Sequence, residues 1–173
     1  MKKIVVIGPE STGKSTLSAQ LATHYQTLWV PEFARDYLTQ LNRPYEQEDL
    51  LHMAEGQLKT EDAAAAKANE LLICDTDLHV IKVWSEAKYG DCDPRILELI
   101  ASRKYDLYLL TYIDIAWEDD PLREHPKPEE REYFYQIYRD IVMNSGLPWA
   151  DIRGGYEQRL QTAIEAISFW KIR

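Results

Sequence analysis

Short apolar runs alternate along this chain with longer stretches in which apolar residues recur every three or four positions. The short runs predict five β-strands, at residues 3–7, 27–30, 71–76, 105–111 and 148–152. The longer stretches predict helices at residues 15–25, 33–41, 46–70, 78–88, from Asp93-Pro94 onward, 130–144 and 156–170. Strands separated by helices are typical of a parallel sheet covered on both faces, so we expect an α/β fold.

The pattern contains no repeat or linker, and 173 residues fit one domain. We therefore expect a single domain over residues 1–173. The polar, proline-bearing stretch 117–130 predicts a loop rather than a helix. Gly56 interrupts the helix expected at 46–70 and predicts a weak point where that helix bends.

Composition narrows the class of protein without identifying it. There are 20 Lys and Arg against 29 Asp and Glu, a net charge of −9, which argues against nonspecific nucleic-acid binding. No run approaches the roughly 18 apolar residues of a membrane span, and the first apolar run is too short for a signal peptide. The two cysteines and four histidines never stand at the spacing of zinc ligands, so we expect them to bind no metal ion. We expect a cytoplasmic protein with small-molecule partners, and its oligomeric state stays open.

The strongest motif is GPESTGKS at residues 8–15, which satisfies G-x-x-x-x-G-K-[ST] between an apolar strand and an amphipathic helix. This context aims backbone N–H groups and a helix N-terminus at one point, as a polyphosphate requires. Lys14 is expected to reach the β- and γ-phosphates and the Ser15 hydroxyl to ligate Mg²⁺, with ATP as the nucleotide. We expect nucleotide contacts from Gly8, Glu10, Ser11, Thr12, Gly13, Lys14, Ser15 and Thr16.

Missing motifs restrict the kind of nucleotide-binding protein. The guanine-reading N-K-x-D pattern is absent, and the Asp-x-x-Gly at residues 151–154 follows the last strand, where we interpret it as chance. The chain is too short for ATPases with added domains. A small-molecule kinase remains, with a bound substrate in place of water as the attacking group.

Acidic residues follow two predicted strands, at the sheet edge where open α/β folds bind ligands. Asp75 ends the strand at 71–76 and is the expected Mg²⁺-organising carboxylate, with Ser15. Asp77 is a candidate for a substrate hydroxyl or an alternative metal contact, or else a helix cap. Glu32 is the candidate general base, or simply a charge at a helix N-terminus, and Arg35 accompanies it on the substrate side.

Residues 116–131 occupy the position of a mobile lid. Arg123 and Arg131 are candidate phosphoryl clamps, because a guanidinium matches a phosphate bidentately, although a solvated charged loop is the alternative. We expect Asp119 and Asp120 to hold Arg123 away until ATP arrives.

Four segments together, GPESTGKST, VPEFARDYL, ICDTD and W-x-D-D-x-x-R, resemble the ribosylnicotinamide kinase family, which includes the C-terminal kinase domain of bacterial NAD-biosynthesis regulators. The resemblance implies ATP-dependent phosphorylation of nicotinamide riboside to nicotinamide mononucleotide. It also implies a P-loop NTPase fold whose five-stranded parallel sheet has its first strand at the centre. By matching position, Lys14 and Ser15 would serve ATP-Mg²⁺, Glu32 and Asp77 the ribosyl group, and Arg123 the phosphoryl group.

One position departs from that family. Its members carry an aromatic residue directly before the glutamate that follows the second strand, and here that residue is Pro31. Trp84, Tyr89 and Trp117 are candidates for another face on which a substrate ring stacks, although core or rim packing is the commoner role of such residues.

We therefore predict a kinase in which Lys14, Glu32 and Arg123 carry the chemistry. Two alternatives stay open. One is a kinase for another nucleoside or small alcohol, and the other is a nucleotide- or lipid-binding regulatory module that transfers nothing.

Overall fold

The computed structural model describes residues 1–172 and places five parallel strands in one sheet, in the order β2-β3-β1-β4-β5. The first strand lies at the centre, and the expected α/β fold is confirmed. The strands are β1 (Lys2–Ile7), β2 (Leu28–Val30), β3 (Leu71–Asp75), β4 (Leu107–Thr111) and β5 (Trp149–Ile152).

Helices connect the strands and cover both faces of the sheet. The helices are α1 (Lys14–Tyr25), α2 (Phe33–Leu41), α3 (Gln47–Ala65), α4 (Leu78–Tyr89), α5 (Pro94–Ala101), α6 (Pro128–Asn144) and α7 (Tyr156–Phe169). Strand β1 is apolar on both faces because helices cover both. Ile4 and Val6 pack on one side with α1 and α7, and Val5 and Ile7 pack on the other with α4 and α6. A third apolar cluster joins α2, α3, α4 and α5 beside the sheet.

Two helices differ from the expected bounds. Helix α3 runs unbroken through Gly56 and ends at Ala65 rather than at residue 70. A Cβ at position 56 would lie 2.1 Å from Cε1 of Phe33, so the glycine makes room for that ring. Helix α6 begins at Pro128, inside the stretch expected to be a loop, because proline is well suited to the first turn of a helix.

The carboxyl ends of the central strands meet closely at one edge. Gly8 follows β1 with φ at 150°, and a Cβ there would lie 2.4 Å from Oγ1 of Thr111 at the end of β4. A larger residue would push these strands apart, so glycine is required where the chain leaves the sheet. Within residues 1–172, no helix combines the length and apolar character that crossing a bilayer demands.

Candidate active site

The phosphate loop joins β1 to α1 through residues 8–13. Gly13 is in the left-handed conformation, with φ at 75°, and α1 begins at the next residue, Lys14. The Lys14 ammonium group donates to the carbonyl oxygen of Pro9 at 2.7 Å, so it lies across the loop. Thr12 is buried and its hydroxyl donates to the same carbonyl, with Oγ1 of Thr111 at 2.7 Å. Its side chain therefore braces the loop.

A hydroxyl and a carboxylate meet at the start of α1. The Ser15 hydroxyl donates to Oδ2 of Asp75 at 2.5 Å. Asp75 is 1% exposed, and its Oδ1 finds no hydrogen-bond partner among residues 1–172. Burial raises the pKa of Asp75, against the opposing effects of Lys14 and Ser15. A buried carboxylate oxygen without a donor, beside a hydroxyl, fits the oxygen ligands of Mg²⁺.

Glu32 follows β2, precedes α2 and lines the same cleft as the phosphate loop. Burial raises the pKa of Glu32 from its ordinary value of 4.5 to about 7, with further raising by Asp75 and Glu10 and opposition from Lys14 and Arg35. A carboxyl group that titrates near neutral pH can accept a proton from a substrate under physiological conditions.

The cleft brings together most of the residues proposed from the sequence. Tyr138 of α6 also lines the cleft and was not among the site residues expected from the sequence. The aliphatic part of the wall consists of Leu38, Val80, Ile115 and Leu122. The expected residues that line the cleft are Gly8, Glu10, Ser11, Thr12, Gly13, Lys14, Ser15, Thr16, Glu32, Arg35, Trp84 and Arg123.

Asp77 does not line this cleft, and its carboxylate is already engaged. Its Oδ1 accepts from the backbone N–H of His79 at 3.0 Å and caps α4. Its Oδ2 accepts from the Tyr108 hydroxyl at 2.7 Å and lies 2.8 Å from Nδ1 of His79. The geometry corresponds to the capping alternative, not to the substrate contact expected from the resemblance.

Two of the candidate stacking aromatics also lie outside the cleft wall. Tyr89 packs in the α2–α5 cluster, and its hydroxyl donates to the carbonyl of Tyr45 at 3.2 Å. The Trp117 ring faces two guanidinium groups, with Cζ of Arg123 at 5.8 Å and Cζ of Arg131 at 5.6 Å from its centroid. Of the three, only Trp84 meets the expectation of a cleft residue.

Arg131 is buried and holds two segments of backbone together. One of its Nη atoms donates to the carbonyls of Ser11 and Ile115, both at 3.1 Å. Burial lowers the pKa of Arg131, and the charge of Arg123 lowers it further. In this arrangement Arg131 ties the phosphate loop to the chain that follows β4 and does not line the cleft.

The β4–α6 segment (residues 112–127) lies over the phosphate loop, held by side chains of the loop itself. The Ser11 hydroxyl accepts from the backbone N–H of Glu118 at 2.9 Å and from Arg123 at 3.3 Å. The carboxylate of Glu10 accepts the backbone N–H groups of Glu124 and His125, at 3.1 and 3.2 Å. Glu10 and Ser11 therefore support the segment as well as lining the cleft.

The expected contact between the acids of this segment and Arg123 is wrong. Asp120 forms an ion pair with Arg35 of α2, and Asp119 accepts from the indole N–H of Trp117. The guanidinium of Arg123 donates instead to Ser11 and to the carbonyl of Glu118. Arg123 thus already lies at the phosphate loop.

The sequence reading missed Arg159, which is 1% exposed. Its guanidinium donates to the carbonyls of Gly154, Thr12 and Tyr112 at 2.7–2.9 Å and pairs with Asp114. Arg159 therefore links the phosphate loop to the chain segments that follow β4 and β5. The signal was present, because Arg159 occupies the buried face of α7 together with Ala163 and Ile167.

Sequence comparison gives a family and two homologous proteins. The family AAA_28, described as an AAA domain, matches residues 3–159. The trifunctional NAD biosynthesis/regulator proteins NadR of Salmonella typhimurium and Escherichia coli are each 24% identical over 174 residues, which is 96% of this chain. The chain spans 42% of their length. The chain is homologous to NadR, and the expected resemblance to these regulators is confirmed.

Structural comparison also finds NadR proteins, and it confirms a P-loop NTPase fold. A NadR protein in complex with NR superposes with a TM-score of 0.82 at 24% identity, over 98% of this chain and 49% of the other. Thymidylate kinase from Candida albicans gives 0.73 at 16% identity, over 99% and 92%. Deoxyadenosine kinase from M. mycoides gives 0.66 at 14% identity, over 96% and 99%. Kinases of nucleosides and nucleotides thus share the fold.

Proposed function

The chain belongs to the AAA_28 family of AAA domains, and on that premise we propose that it is a kinase that uses ATP to phosphorylate nicotinamide riboside. One observation carries the proposal. Lys14, Ser15 and Glu32, whose pKa is about 7, line the cleft beside the phosphate loop, and Asp75 accepts the hydrogen bond of the Ser15 hydroxyl. These are the phosphate, metal and acceptor sides of a phosphoryl-transfer site.

The phosphate side is built mainly from backbone. The N–H groups of residues 8–13 and the N-terminus of α1 receive the phosphates of ATP, and Lys14 exchanges the Pro9 carbonyl for a phosphate oxygen. Ser15 and Asp75 are the residues that would hold Mg²⁺, since Oδ1 of Asp75 is buried without a donor among the described residues. The ion, when bound, offsets the negative charge that develops on the phosphates.

On the acceptor side, Glu32 accepts the proton of the ribose 5′-hydroxyl. The hydroxyl oxygen then forms a bond to the γ-phosphorus while the bond to the β,γ-bridging oxygen breaks, which releases ADP. Arg123 lies at the phosphate loop, where its guanidinium stabilises the transferring group. The β4–α6 segment is the lid in this scheme, and it excludes water that would compete with the acceptor.

The relatives support the acceptor that we propose. A NadR structure contains NR, another contains NAD and AMP-PNP, and each covers 98% of this chain. Two features distinguish this chain from those relatives: Pro31 stands where the kinase family carries an aromatic residue, and the chain matches under half of the length of each relative.

The direct test measures ADP release from Mg-ATP with nicotinamide riboside and, separately, with adenosine, cytidine, uridine and thymidine. We expect turnover that depends on nicotinamide riboside. Turnover with only another nucleoside would replace the substrate and keep the kinase. Tight ATP binding with no acceptor-stimulated release would contradict the enzyme and favour a regulatory module.

A further inference from the structure

The backbone on both sides of Glu32 is held by one side chain of α3. The Oε1 atom of Gln57 accepts from the backbone N–H of Phe33 at 2.7 Å, and its Nε2 donates to the backbone carbonyl of Pro31 at 3.4 Å. Glu32 is the residue between these two peptide groups. A single amide, on a side chain that is 4% exposed, therefore holds both sides of the residue that we propose as the base.

This pair of hydrogen bonds requires an amide. Only a side chain that ends in both a donor and an acceptor can bond an N–H group and a carbonyl group at once. A carboxylate could accept from Phe33 but could not donate to Pro31, and an apolar side chain could do neither. Gln57 is therefore suited to this position by its chemistry as well as by its size.

Helix α2 begins without a hydrogen bond from its own N-cap side chain. Glu32 occupies the N-cap position, where a polar side chain normally accepts from a free N–H group of the first turn. Within residues 1–172, the Glu32 carboxylate forms no such capping bond. Gln57 instead satisfies the N–H group of Phe33, the first residue of the helix. The Glu32 carboxylate is thereby left available to the cleft that it lines.

The neighbour of Gln57 brings α3 close to the same segment. A Cβ at Gly56 would lie 2.1 Å from Cε1 of Phe33, so the ring lies directly against α3. Consecutive residues of α3 thus accommodate the Phe33 ring and bond its N–H group. Close packing together with two hydrogen bonds gives residues 31–33 a defined position relative to α3.

Gln57 approaches Glu32 from the side away from the cleft. It does not line the active-site cleft, but it shares with Glu32 a separate cavity of about 10 Å³. A space of that size holds at most one water molecule, so no part of a substrate fits there. Gln57 therefore acts on the reaction through the residue that it holds.

We propose that Gln57 is a positioning residue for Glu32, which holds the carboxylate in the cleft and away from bulk water. The inference rests on the proposed function, in which Glu32 accepts the proton of the acceptor hydroxyl. Loss of the two hydrogen bonds would let residues 31–33 move, and the carboxylate would become hydrated. Its pKa would then fall from about 7 towards the ordinary 4.5, and its oxygens would no longer meet the hydroxyl in one orientation.

The test compares wild type with Gln57→Met, which keeps the length of the side chain and removes both hydrogen bonds. We expect kcat to fall about tenfold or more, because the base loses its orientation, while KM for ATP changes less than about twofold. The loss of kcat/KM at acid pH should move to lower pH. Gln57→Asn keeps the amide but is one methylene shorter, so its kcat should lie between the two.

Gln47→Met is the matched control. Gln47 is the first residue of the same helix, and its amide donates to Asp91 instead. This variant should leave kcat, KM for ATP and the pH profile unchanged.

A second measurement follows Glu32 without turnover. In wild type, Glu32→Gln should raise the free energy of unfolding at pH 8, because it removes a charge that burial disfavours. In Gln57→Met the same substitution should raise it by a smaller amount, because the carboxylate is already hydrated. The other titratable groups around Glu32 are the same in both backgrounds: Glu10, Lys14, Arg35, Asp75, Asp77 and Tyr138.

Each remaining outcome also decides the inference. Folded Gln57→Met with the kcat and pH profile of wild type would limit Gln57 to a role in stability. If Gln57→Met does not fold, the same two readouts in Gln57→Asn decide. If wild type phosphorylates no acceptor, the proposed function fails, and denaturation decides the inference alone: an equal effect of Glu32→Gln in both backgrounds contradicts it, and a smaller effect in Gln57→Met supports it.

Discussion

Buried carboxylates at the two ends of the sheet differ in how fully they are hydrogen-bonded. At the amino end, Glu61 is 1% exposed, and its carboxylate accepts from Lys3 at 2.6 Å and from the Tyr105 hydroxyl at 2.9 Å. Arg103 lies 3.9 Å away. At the carboxyl end, Asp75 is equally buried, yet one of its oxygens has no hydrogen-bond partner within residues 1–172.

The difference distinguishes charges that hold the fold from charges that serve a ligand. A buried carboxylate costs free energy unless donors and opposite charges surround it, and Glu61 has both. Asp75 and Glu32 have raised pKa values because burial outweighs their partners. A protein retains such groups where a ligand supplies the missing partner. The unsatisfied acids at the carboxyl end of the sheet therefore indicate a ligand-binding site.

The largest effect is expected from a matched pair of lysines, one at each end. Lys14→Met should lower kcat by at least about a hundredfold, because it removes the cation that faces the phosphates. It should change the free energy of unfolding by about 1 kcal/mol, because it removes the hydrogen bond to Pro9 and the positive charge that opposes the raised pKa values of Glu32 and Asp75. ADP release and chemical denaturation measure the two quantities.

Lys3→Met is the counterpart and should do the reverse. It strips Glu61 of its nearest cation and should destabilise the fold by about 1–2 kcal/mol, since Lys3 keeps some contact with water. Turnover should persist at wild-type level where the protein is folded. A Lys14→Met rate near wild type would mean that the phosphate site is misassigned.

The two buried acids provide the next test. Asp75→Asn should lower turnover about 10- to 100-fold at limiting Mg²⁺, because it weakens the oxygen set that holds the ion. The melting temperature should stay or rise, because the substitution removes a charge that burial disfavours. Glu61→Gln should lower the melting temperature and leave kcat unchanged. Two variants that lose stability equally would erase the distinction between the ends.

The pH profile tests Glu32. A base must be ionised, so kcat/KM should fall about tenfold per pH unit below about pH 7, where the carboxylate becomes protonated. That limb should be absent from the residual activity of Glu32→Gln. An unchanged limb in Glu32→Gln would assign the base to another residue.

Ionisation of Glu32, which activity requires, should lower the stability of the fold. Its folded-state pKa of about 7 exceeds the ordinary value of 4.5, so the folded state binds the extra proton between those values. Stability contributed by Glu32 is present below about pH 4.5 and is lost as the pH rises to about 7. Denaturation at pH 8 should therefore find Glu32→Gln more stable than wild type, with the difference gone at pH 4.

Features that depend on local pattern could be predicted from the sequence. The apolar runs predict all five strands, and the glycine, lysine and serine of the phosphate loop stand where their backbone roles require them. The role of Asp75 could be predicted for the same reason, because a carboxylate at the carboxyl end of a buried strand lies at the edge of the sheet.

Features that depend on partners distant in the sequence could not be predicted. Asp77 looks like a ligand residue until Tyr108, from the far side of β1, donates to it. Gly56 looks like a helix breaker until the Phe33 ring is placed against it. In both cases the deciding partner is remote in sequence, and one sequence alone contains no record of that contact.

The smallest effect is expected where the two sides of the cleft touch. Asp120 of the β4–α6 segment pairs with Arg35 of α2, whose side chain is 53% exposed. Exposed ion pairs contribute little to stability, so Asp120→Ala should change the free energy of unfolding by less than about 1 kcal/mol.

If the pair holds the segment closed over the acceptor, KM for the acceptor should rise about two- to fivefold in low salt, a difference of up to 1 kcal/mol. At high salt the difference in KM between Asp120→Ala and wild type should become smaller, because salt screens the Asp120–Arg35 pair in the wild type. If the difference in KM were the same at low and high salt, Asp120 would act through the hydrogen bond that its carboxylate accepts from the backbone N–H of Leu122.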